Sequence, residues 1–187
     1  SNTADLIVDN GATTTTVRLA GLFANTVTAD AIANCSNSGN FTVKKATTTE
    51  NRLAGFSTGA VYSLSMTNCS NSGKMEVATD ATANAIYMAG LVSDTAKSQA
   101  FENCTNTGSL TVGDNITLSD YLQIAGVFQG VSGEDNVTPT LKNIKNSGAL
   151  STGKVTLTNT GNNGRIYMSG LIGTLSAGAL VNCYNEA

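Results

Sequence analysis

The chain has 187 residues, of which 5% are aromatic and 12% charged, with no histidine and a formal net charge of −3. Average soluble proteins have about 25% charged residues, so the many Thr, Ser, Asn and Gly residues here are typical of a turn-rich secreted β protein. The basic residues form no run, which argues against nucleic-acid binding. No apolar stretch reaches the ~18 residues of a membrane span, and without histidine there is no Ser-His-Asp or Cys-His catalysis.

Two motifs recur and define a repeat. A glycine landmark stands at Gly21, Gly55, Gly90, Gly126 and Gly170, with steps of 34, 35, 36 and 44 residues. A hexad, Asn-Cys-Ser-Asn-Ser-Gly or a variant of it, begins at Asn34, Asn68, Asn103 and Asn143 and returns shortened at Asn182. A period in this range predicts supersecondary units that bury their apolar faces against one another. We expect a single domain over 1–187, an internal or mature piece of a longer secreted protein.

Three strands are predicted in each unit, in chain order. The chain opens with Leu6-Ile7-Val8, which looks like a strand that follows a hexad. The strand leading into the glycine has alternating apolar residues, such as Val17, Leu19 and Phe23 or Ile86, Met88 and Val92, which predicts that these residues form one buried face. The strand entering the hexad has one apolar residue three positions before the Cys or Ile: Ile32, Met66, Phe101, Leu141 and Leu180. The strand leaving the hexad has Phe41 and Val43, Met75 and Val77, Leu110 and Val112, and Leu150.

This pattern predicts an all-β fold, a parallel β-solenoid (β-helix) of about five coils. General handedness rules for parallel crossovers make it right-handed. The hexad is predicted to form a corner, with Asn in left-handed conformation and Gly supplying positive φ. Asparagines of successive hexads would then stack, and their amides would hydrogen-bond along the column. The sequons at Asn34, Asn68 and Asn103 are better explained by this ladder.

Four cysteines share one hexad position, and the fifth copy has Ile144 there: Cys35, Cys69, Cys104 and Cys183. A position that accepts Cys or Ile indicates a small buried apolar site, so we expect free core thiols. Disulfides and a metal site stay open as alternatives.

Two insertions lengthen the fourth unit, at residues 129–139 and 153–164. Insertions in solenoids form surface loops that often lie on a binding face, although neutral drift explains them equally well. Glu134-Asp135-Asn136, Asp114-Asn115 and Asp120 offer oxygen ligands, but not at the spacing of a known calcium motif. We predict no cofactor and leave a structural calcium ion open.

One outward column is the best candidate for ligand binding. It stands three residues before each landmark glycine and consists of Arg18, Arg52, Tyr87, Gln123 and Tyr167. Because its members alternate with buried residues, they should face solvent in a row. Tyr and Arg on a flat sheet suit sugar rings or a protein partner, although cross-strand stacking that merely stabilises the sheet explains them too.

Catalytic carboxylates have weaker support. A glycosidase needs two carboxylates facing one cleft, about 5 Å or about 6.5–9.5 Å apart. Only Glu134 and Asp135 are adjacent in sequence, and neighbours on a strand point in opposite directions. We interpret this pair as a solvated loop.

A family resemblance adds to this interpretation. Gly170-Leu171-Ile172-Gly173 followed by Val181-Asn182-Cys183-Tyr184 resembles the GLUG motif. Two copies, Gly21-Leu22-Phe23-Ala24 and Gly90-Leu91-Val92-Ser93, lack the second Gly, and the other two also lack the Leu: Gly55-Phe56-Ser57-Thr58 and Gly126-Val127-Phe128-Gln129. The resemblance implies a secreted or surface-anchored bacterial protein, such as an adhesin, in which such repeats are accessory or adhesive modules. It transfers no catalytic residue.

Three functions follow as hypotheses. The first is a non-catalytic module for adhesion or for glycan or protein binding, with glycans or host matrix proteins as partners and further domains beside it in the same chain. The second is a structural spacer that presents another domain. The third is a β-helix polysaccharide lyase or glycosidase. A binder predicts a groove or shelf beside the insertions, and an enzyme predicts carboxylates or a Lys/Arg cluster converging in a cleft.

Overall fold

The structure, a computed structural model, describes residues 1–9, 13–44, 47–133, 137–159 and 164–187, without the side chains of 13–15. These residues contain no helix, and their strands pair in parallel. The chain is therefore a parallel β-solenoid, as predicted. Its five coils run between the stacked corner residues Asn2, Asn37, Asn71, Asn106, Asn146 and Asn185.

Each coil contributes to three faces and one corner, and the strands are numbered in chain order. Face one contains β1 (Leu6–Asp9), β5 (Phe41–Lys44), β9 (Met75–Val77), β13 (Leu110–Val112) and β18 (Leu150–Thr152). Face two contains β2 (Thr13–Ala20), β6 (Thr47–Ala54), β10 (Thr82–Ala89), β14 (Ile116–Ala125), β19 (Val155–Leu157) and β20 (Arg165–Ser169). Face three contains β3 (Val27–Ala33), β7 (Val61–Thr67), β11 (Val92–Glu102), β15 (Phe128–Ser132), β16 (Thr140–Lys142), β21 (Ile172–Leu175) and β22 (Ala179–Val181). The corner contains β4 (Ser36–Asn37), β8 (Ser70–Asn71), β12 (Thr105–Asn106), β17 (Lys145–Asn146) and β23 (Tyr184–Asn185).

The two insertions split strands without shifting the coils. The single strand β11 pairs with both β15 and β16, and residues 129–132 of the first insertion lie in β15. In the same way, β14 pairs with both β19 and β20, and β19 lies inside the second insertion. The prediction of surface loops is therefore wrong for residues 129–132 and 155–157, because these residues continue the parallel sheets.

The interior holds two apolar clusters. One packs face one against face two, and the other lies behind face three and the corner. Phe41, Phe101 and Phe128 are at most 1% exposed, and burial of such a side chain contributes about 1.5–3 kcal/mol. The alternation of apolar residues along each strand therefore produces the core, as predicted.

The corner turns on asparagine. Asn34, Asn68, Asn103, Asn143 and Asn182 have φ of 56°, 53°, 54°, 55° and 51°. This confirms their predicted left-handed conformation, which asparagine tolerates better than most residues. The matching prediction for the hexad glycines is wrong, because Gly178 is the one glycine with positive φ in the described part of the chain. A Cβ on Gly73 would instead strike the carbonyl oxygen of Gly39 in the coil below.

Two asparagine ladders link the coils, as predicted. In the inner ladder the Nδ2 of each asparagine donates to the Oδ1 of the next at 2.7–2.8 Å, through Asn2, Asn37, Asn71, Asn106, Asn146 and Asn185. The Nδ2 of Asn106 also donates to the carbonyl of Gly108 in its own coil. In the outer ladder donation runs the other way, from Asn68 to Asn34, from Asn103 to Asn68 and from Asn143 to Asn103.

The inner ladder contacts the glycine landmark across the interior. A Cβ on Gly90 would lie 2.5 Å from the Cβ of Asn106 and would strike the carbonyl oxygen of Gly126. The glycine and asparagine columns thus touch inside the solenoid, between the two apolar clusters. Each coil needs one landmark glycine and one inner asparagine for this contact. The two motifs therefore recur once in every coil.

The cysteines are free thiols. Cys69 and Cys104 are fully buried in one column with Ile144, which confirms the prediction of core thiols. Cys35 and Cys183, in the outermost hexads, are half-buried. Hydrogen bonding to Cys69, together with burial, raises the pKa of the Cys104 thiol well above its ordinary value.

Some predicted core residues are exposed in the outermost coils. Phe23 is 45% exposed and packs edge-on against Phe56, with ring centroids 5.4 Å apart. Leu180 is 53% exposed. The prediction that these residues are buried is wrong, because each described end coil is covered by a neighbour on one side only.

Candidate binding groove

The candidate column of face two is in register across the coils. Pairing places Arg18 beside Arg52, Arg52 beside Tyr87, Tyr87 beside Gln123, and Gln123 beside Tyr167. The flanking residues of Tyr87, Ile86 and Met88, are fully buried, whereas Tyr87 is partly exposed. The column therefore runs parallel to the solenoid axis, and its side chains point outward.

Faces two and three meet at a concave angle on the outside of the solenoid. Arg52 on β6 reaches across to β11, where its Nη1 donates to the Ser93 carbonyl at 3.0 Å and contacts Asp94 Oδ2 at 3.2 Å. In coil four, Gln129 Nε2 on β15 donates to Gln123 Oε1 on β14 at 2.7 Å. Side chains of both faces therefore meet on the outside of the solenoid, and they line a trough between the two faces.

The trough is a groove with two adjoining parts, of about 290 and 520 Å³. Face two supplies Arg52, Tyr87, Tyr121, Gln123, Arg165 and Tyr167. Face three supplies Asp94, Thr95, Gln129, Gly130, Thr174 and Ser176. Four of these residues border both parts: Tyr87, Gln123, Gln129 and Thr174. The lining is thus rich in hydroxyls, amides and aromatic rings.

An ion cluster stands at the end of the groove nearer the N-terminus. Arg52 Nε contacts Glu50 Oε1 at 2.6 Å and its Nη2 contacts Oε2 at 3.2 Å, so the pair is bidentate. The guanidinium also lies over the Tyr87 ring, 4.4 Å from its centroid. Burial works against the charge of Arg52, but hydrogen bonding and the charges of Glu50 and Asp94 outweigh it and raise its pKa. Burial also raises the pKa of the Tyr87 phenol, although Arg52 opposes this.

The opposite end of the groove lies in coil five. Arg165 Nη1 donates to the Tyr167 hydroxyl at 3.0 Å, and the Tyr167 side chain is 44% exposed. Arg165 pairs with Tyr121 of the coil before. This end therefore combines an accessible ring with an exposed cation.

The structure brings together four of the five predicted site residues. Arg52, Tyr87, Gln123 and Tyr167 border the groove, whereas Arg18 is an exposed neighbour of Arg52 outside the two lining sets. Gln129, Gly130 and Val131, which also line the groove, belong to the first insertion.

Sequence reasoning missed several lining residues. Tyr121 and Arg165 line the groove and each stand two positions before a member of the column, so the period of a strand was a signal for them. The same signal applied to Glu50, which binds Arg52 but is outside the two lining sets. Asp94, Gln129 and Thr174 lie on face three. Gln129 had a signal, because it lies in the first insertion. Asp94 and Thr174 had none, since their position depends on the angle between two sheets.

Other predicted ligands do not assemble into a site. Asp114 Oδ1 accepts the backbone N–H of Lys154 at 2.9 Å, and among the described residues no three Cys, Asp or Glu cluster to hold a metal ion. The Glu134 and Asp135 pair, with Asn136, lies outside the described residues.

Comparisons with protein-family models, curated proteins and solved structures find no match. No helix that is long and apolar enough to cross a bilayer occurs in the described ranges.

Proposed function

We propose that this solenoid is a non-catalytic binding module of a secreted or surface-exposed bacterial protein, and that the groove between faces two and three binds a glycan. The observation that carries the proposal is the groove itself, in which Tyr87 and Tyr167 stand in one column opposite Gln129 and Thr174. Aromatic rings offer apolar contact, and amides and hydroxyls offer hydrogen bonds, which together suit a sugar.

The composition of the lining favours a sugar over an apolar ligand. Gln123 and Gln129 already hold each other through one amide hydrogen bond, so their side chains are oriented before a ligand arrives. Oriented polar groups lose less entropy on binding. A groove open to solvent also accommodates water-mediated contacts, which are common in polar binding sites.

A structural spacer is the second candidate. The ladders support it, because amides join every coil to the next. Ion pairs also run between coils, as in Lys142 with Glu102 at 2.8 Å. A stack tied in this way is rigid along its axis.

A polysaccharide lyase or glycosidase has less support. Asp94, the one carboxylate among the described residues that line the groove, binds Arg52, and Glu50 binds Arg52 from outside the lining. A carboxylate held in an ion pair is poorly placed to act as a general acid or nucleophile.

The test is a binding screen of the 187-residue protein against glycans and extracellular-matrix proteins, with Tyr87→Ala/Tyr167→Ala as the variant. Tyr62→Ala is the matched control, since Tyr62 lies on face three under Lys97 and away from the groove. We expect the double variant to bind a glycan at least about tenfold more weakly, because two ring contacts contribute roughly 1 kcal/mol each.

The control should bind like the parent protein, and all three proteins should unfold at similar temperatures. A folded protein that binds no probe would favour the spacer. Equal binding by the double variant would contradict the groove as the site.

A further inference from the structure

We infer that the groove receives the end of a glycan chain and that the terminal sugar it holds is uncharged. This inference rests on the proposed function. It adds which part of the glycan is recognised and to which chemical class that sugar belongs. It follows from the geometry at Arg52 and from the charges around it.

The Arg52 side chain closes one end of the groove. It starts on face two in coil two and ends on the Ser93 carbonyl and the Asp94 carboxylate of face three in coil three. The bidentate contact with Glu50 holds it from behind. Only 16% of the side chain is exposed, so it forms a fixed bar across the trough.

The groove extends from this bar in one direction. Its lining continues through Gln123 of coil four to Tyr167 and Thr174 of coil five. The bar ends in coil three, and two coil steps of about 4.8 Å to coil five give a length of about 10 Å, suitable for a short oligosaccharide. A chain lying along the axis enters from coil five and meets the bar with its last residue.

The closed end excludes acidic sugars. Two carboxylates, Glu50 and Asp94, contact one guanidinium, so these three groups have an excess negative charge. The cation of Arg18 is next to Arg52 in the column, on the side away from Tyr87. The Asp94 side chain is 40% exposed, so its charge faces the groove more than that of Glu50. A terminal uronate or sulfate would approach this carboxylate with like charge.

The test uses soluble galactan, mannan and β-glucan as neutral probes and polygalacturonate as the acidic probe. Each is presented intact and after partial acid hydrolysis, which multiplies chain ends at constant mass. We expect binding of a neutral probe per unit mass to rise in proportion to its chain ends. Hydrolysed polygalacturonate should bind at least about tenfold more weakly than that probe, since like charges at contact readily supply such a factor.

The outcomes separate this inference from the proposed function. Equal binding per mass before and after hydrolysis would overturn end recognition and leave a glycan-binding groove. Stronger binding of polygalacturonate would overturn the uncharged terminus. Failure of all probes, with a folded protein, would overturn the inference and count against the proposed function as well.

A charge variant tests the closed end directly. Asp94→Asn removes the excess charge and leaves Arg52 bound to Glu50 and to the Ser93 carbonyl. We expect it to bring hydrolysed polygalacturonate to within about threefold of the neutral probe. Asp30→Asn, an exposed carboxylate on β3, is the matched control and should change neither probe. An Asp94→Asn protein that keeps the full discrimination would contradict the inference.

Discussion

Two corners of the same solenoid follow opposite rules. At the hexad corner every coil has the same asparagine, and the amide distances of the inner ladder stay between 2.7 and 2.8 Å. At the angle between faces two and three the outward residue changes from Arg to Tyr to Gln to Tyr along the column. The repeated corner stabilises the stack, whereas the varied corner forms the groove. Uniformity along a solenoid therefore indicates a structural position, and variation indicates where specificity can reside.

The largest expected effect is the loss of one inner asparagine. Asn106→Ala removes the acceptor of Asn71 and the donor to both Asn146 and the Gly108 carbonyl. The three lost hydrogen bonds cost about 1 kcal/mol each, and the cavity left by the amide adds about 1 kcal/mol. We therefore expect the free energy of unfolding to fall by about 4 kcal/mol, measured by urea denaturation. The control Asn103→Gly removes an exposed amide and tolerates positive φ, and should cost less than about 1 kcal/mol. Equal losses of stability in Asn106→Ala and Asn103→Gly would contradict the structural role of the inner ladder.

The glycine landmark should be nearly as sensitive. A methyl group from Gly90→Ala meets the Gly126 carbonyl and the Asn106 side chain, and such overpacking costs about 3 kcal/mol. Gly130→Ala is the matched change at the groove, where the nearest atom, Thr95 Oγ1, is 3.4 Å away. Urea denaturation should show little change for the second variant. A Gly90→Ala protein as stable as the parent would contradict the contact between ladder and landmark.

Replacing a buried asparagine that belongs to neither ladder should have the opposite effect on the free energy of unfolding. Asn51 is fully buried on β6, and neither polar atom of its amide has a hydrogen-bond partner among the described residues. Its neighbours in the column are Val17 and Ile86. We expect Asn51→Val to raise the free energy of unfolding by about 1 kcal/mol, because it removes unpaired buried groups. A loss of stability in thermal unfolding would contradict this.

The smallest expected effect concerns the core thiols. The pKa of Cys104 is raised in the folded protein, so the unfolded chain releases this proton first as the pH rises. The contribution of the thiol to stability is thus fully present below its ordinary pKa of 9.0 and declines above it. In Cys104→Val, which mimics Ile144, the free energy of unfolding should decline less steeply above pH 9.0. Parallel curves for the two proteins would contradict the raised pKa.

Much of the fold was predictable because it depends on local patterns that recur. Alternating apolar residues such as Met75 and Val77 indicate a strand with one buried face. The recurrence of such strands with the hexad indicated stacked coils and the ladders. The prediction of positive φ at Gly73 is wrong. This position requires glycine because a side chain there would strike the coil below. The predicted burial of Phe23 is wrong because the periodic pattern carries no information on which coil is outermost.

The sequence by itself determined the parallel solenoid, the asparagine corner, the buried thiols and the column that contains Arg52, Tyr87 and Tyr167. Period two along a strand and one repeat per coil are enough to place those residues. Only the tertiary structure decided that the column faces Asp94, Gln129 and Thr174 across a groove, and that Arg52 bars one end of it. The physical reason is that the angle between two sheets is set by the packing of many interior side chains, which no local pattern encodes.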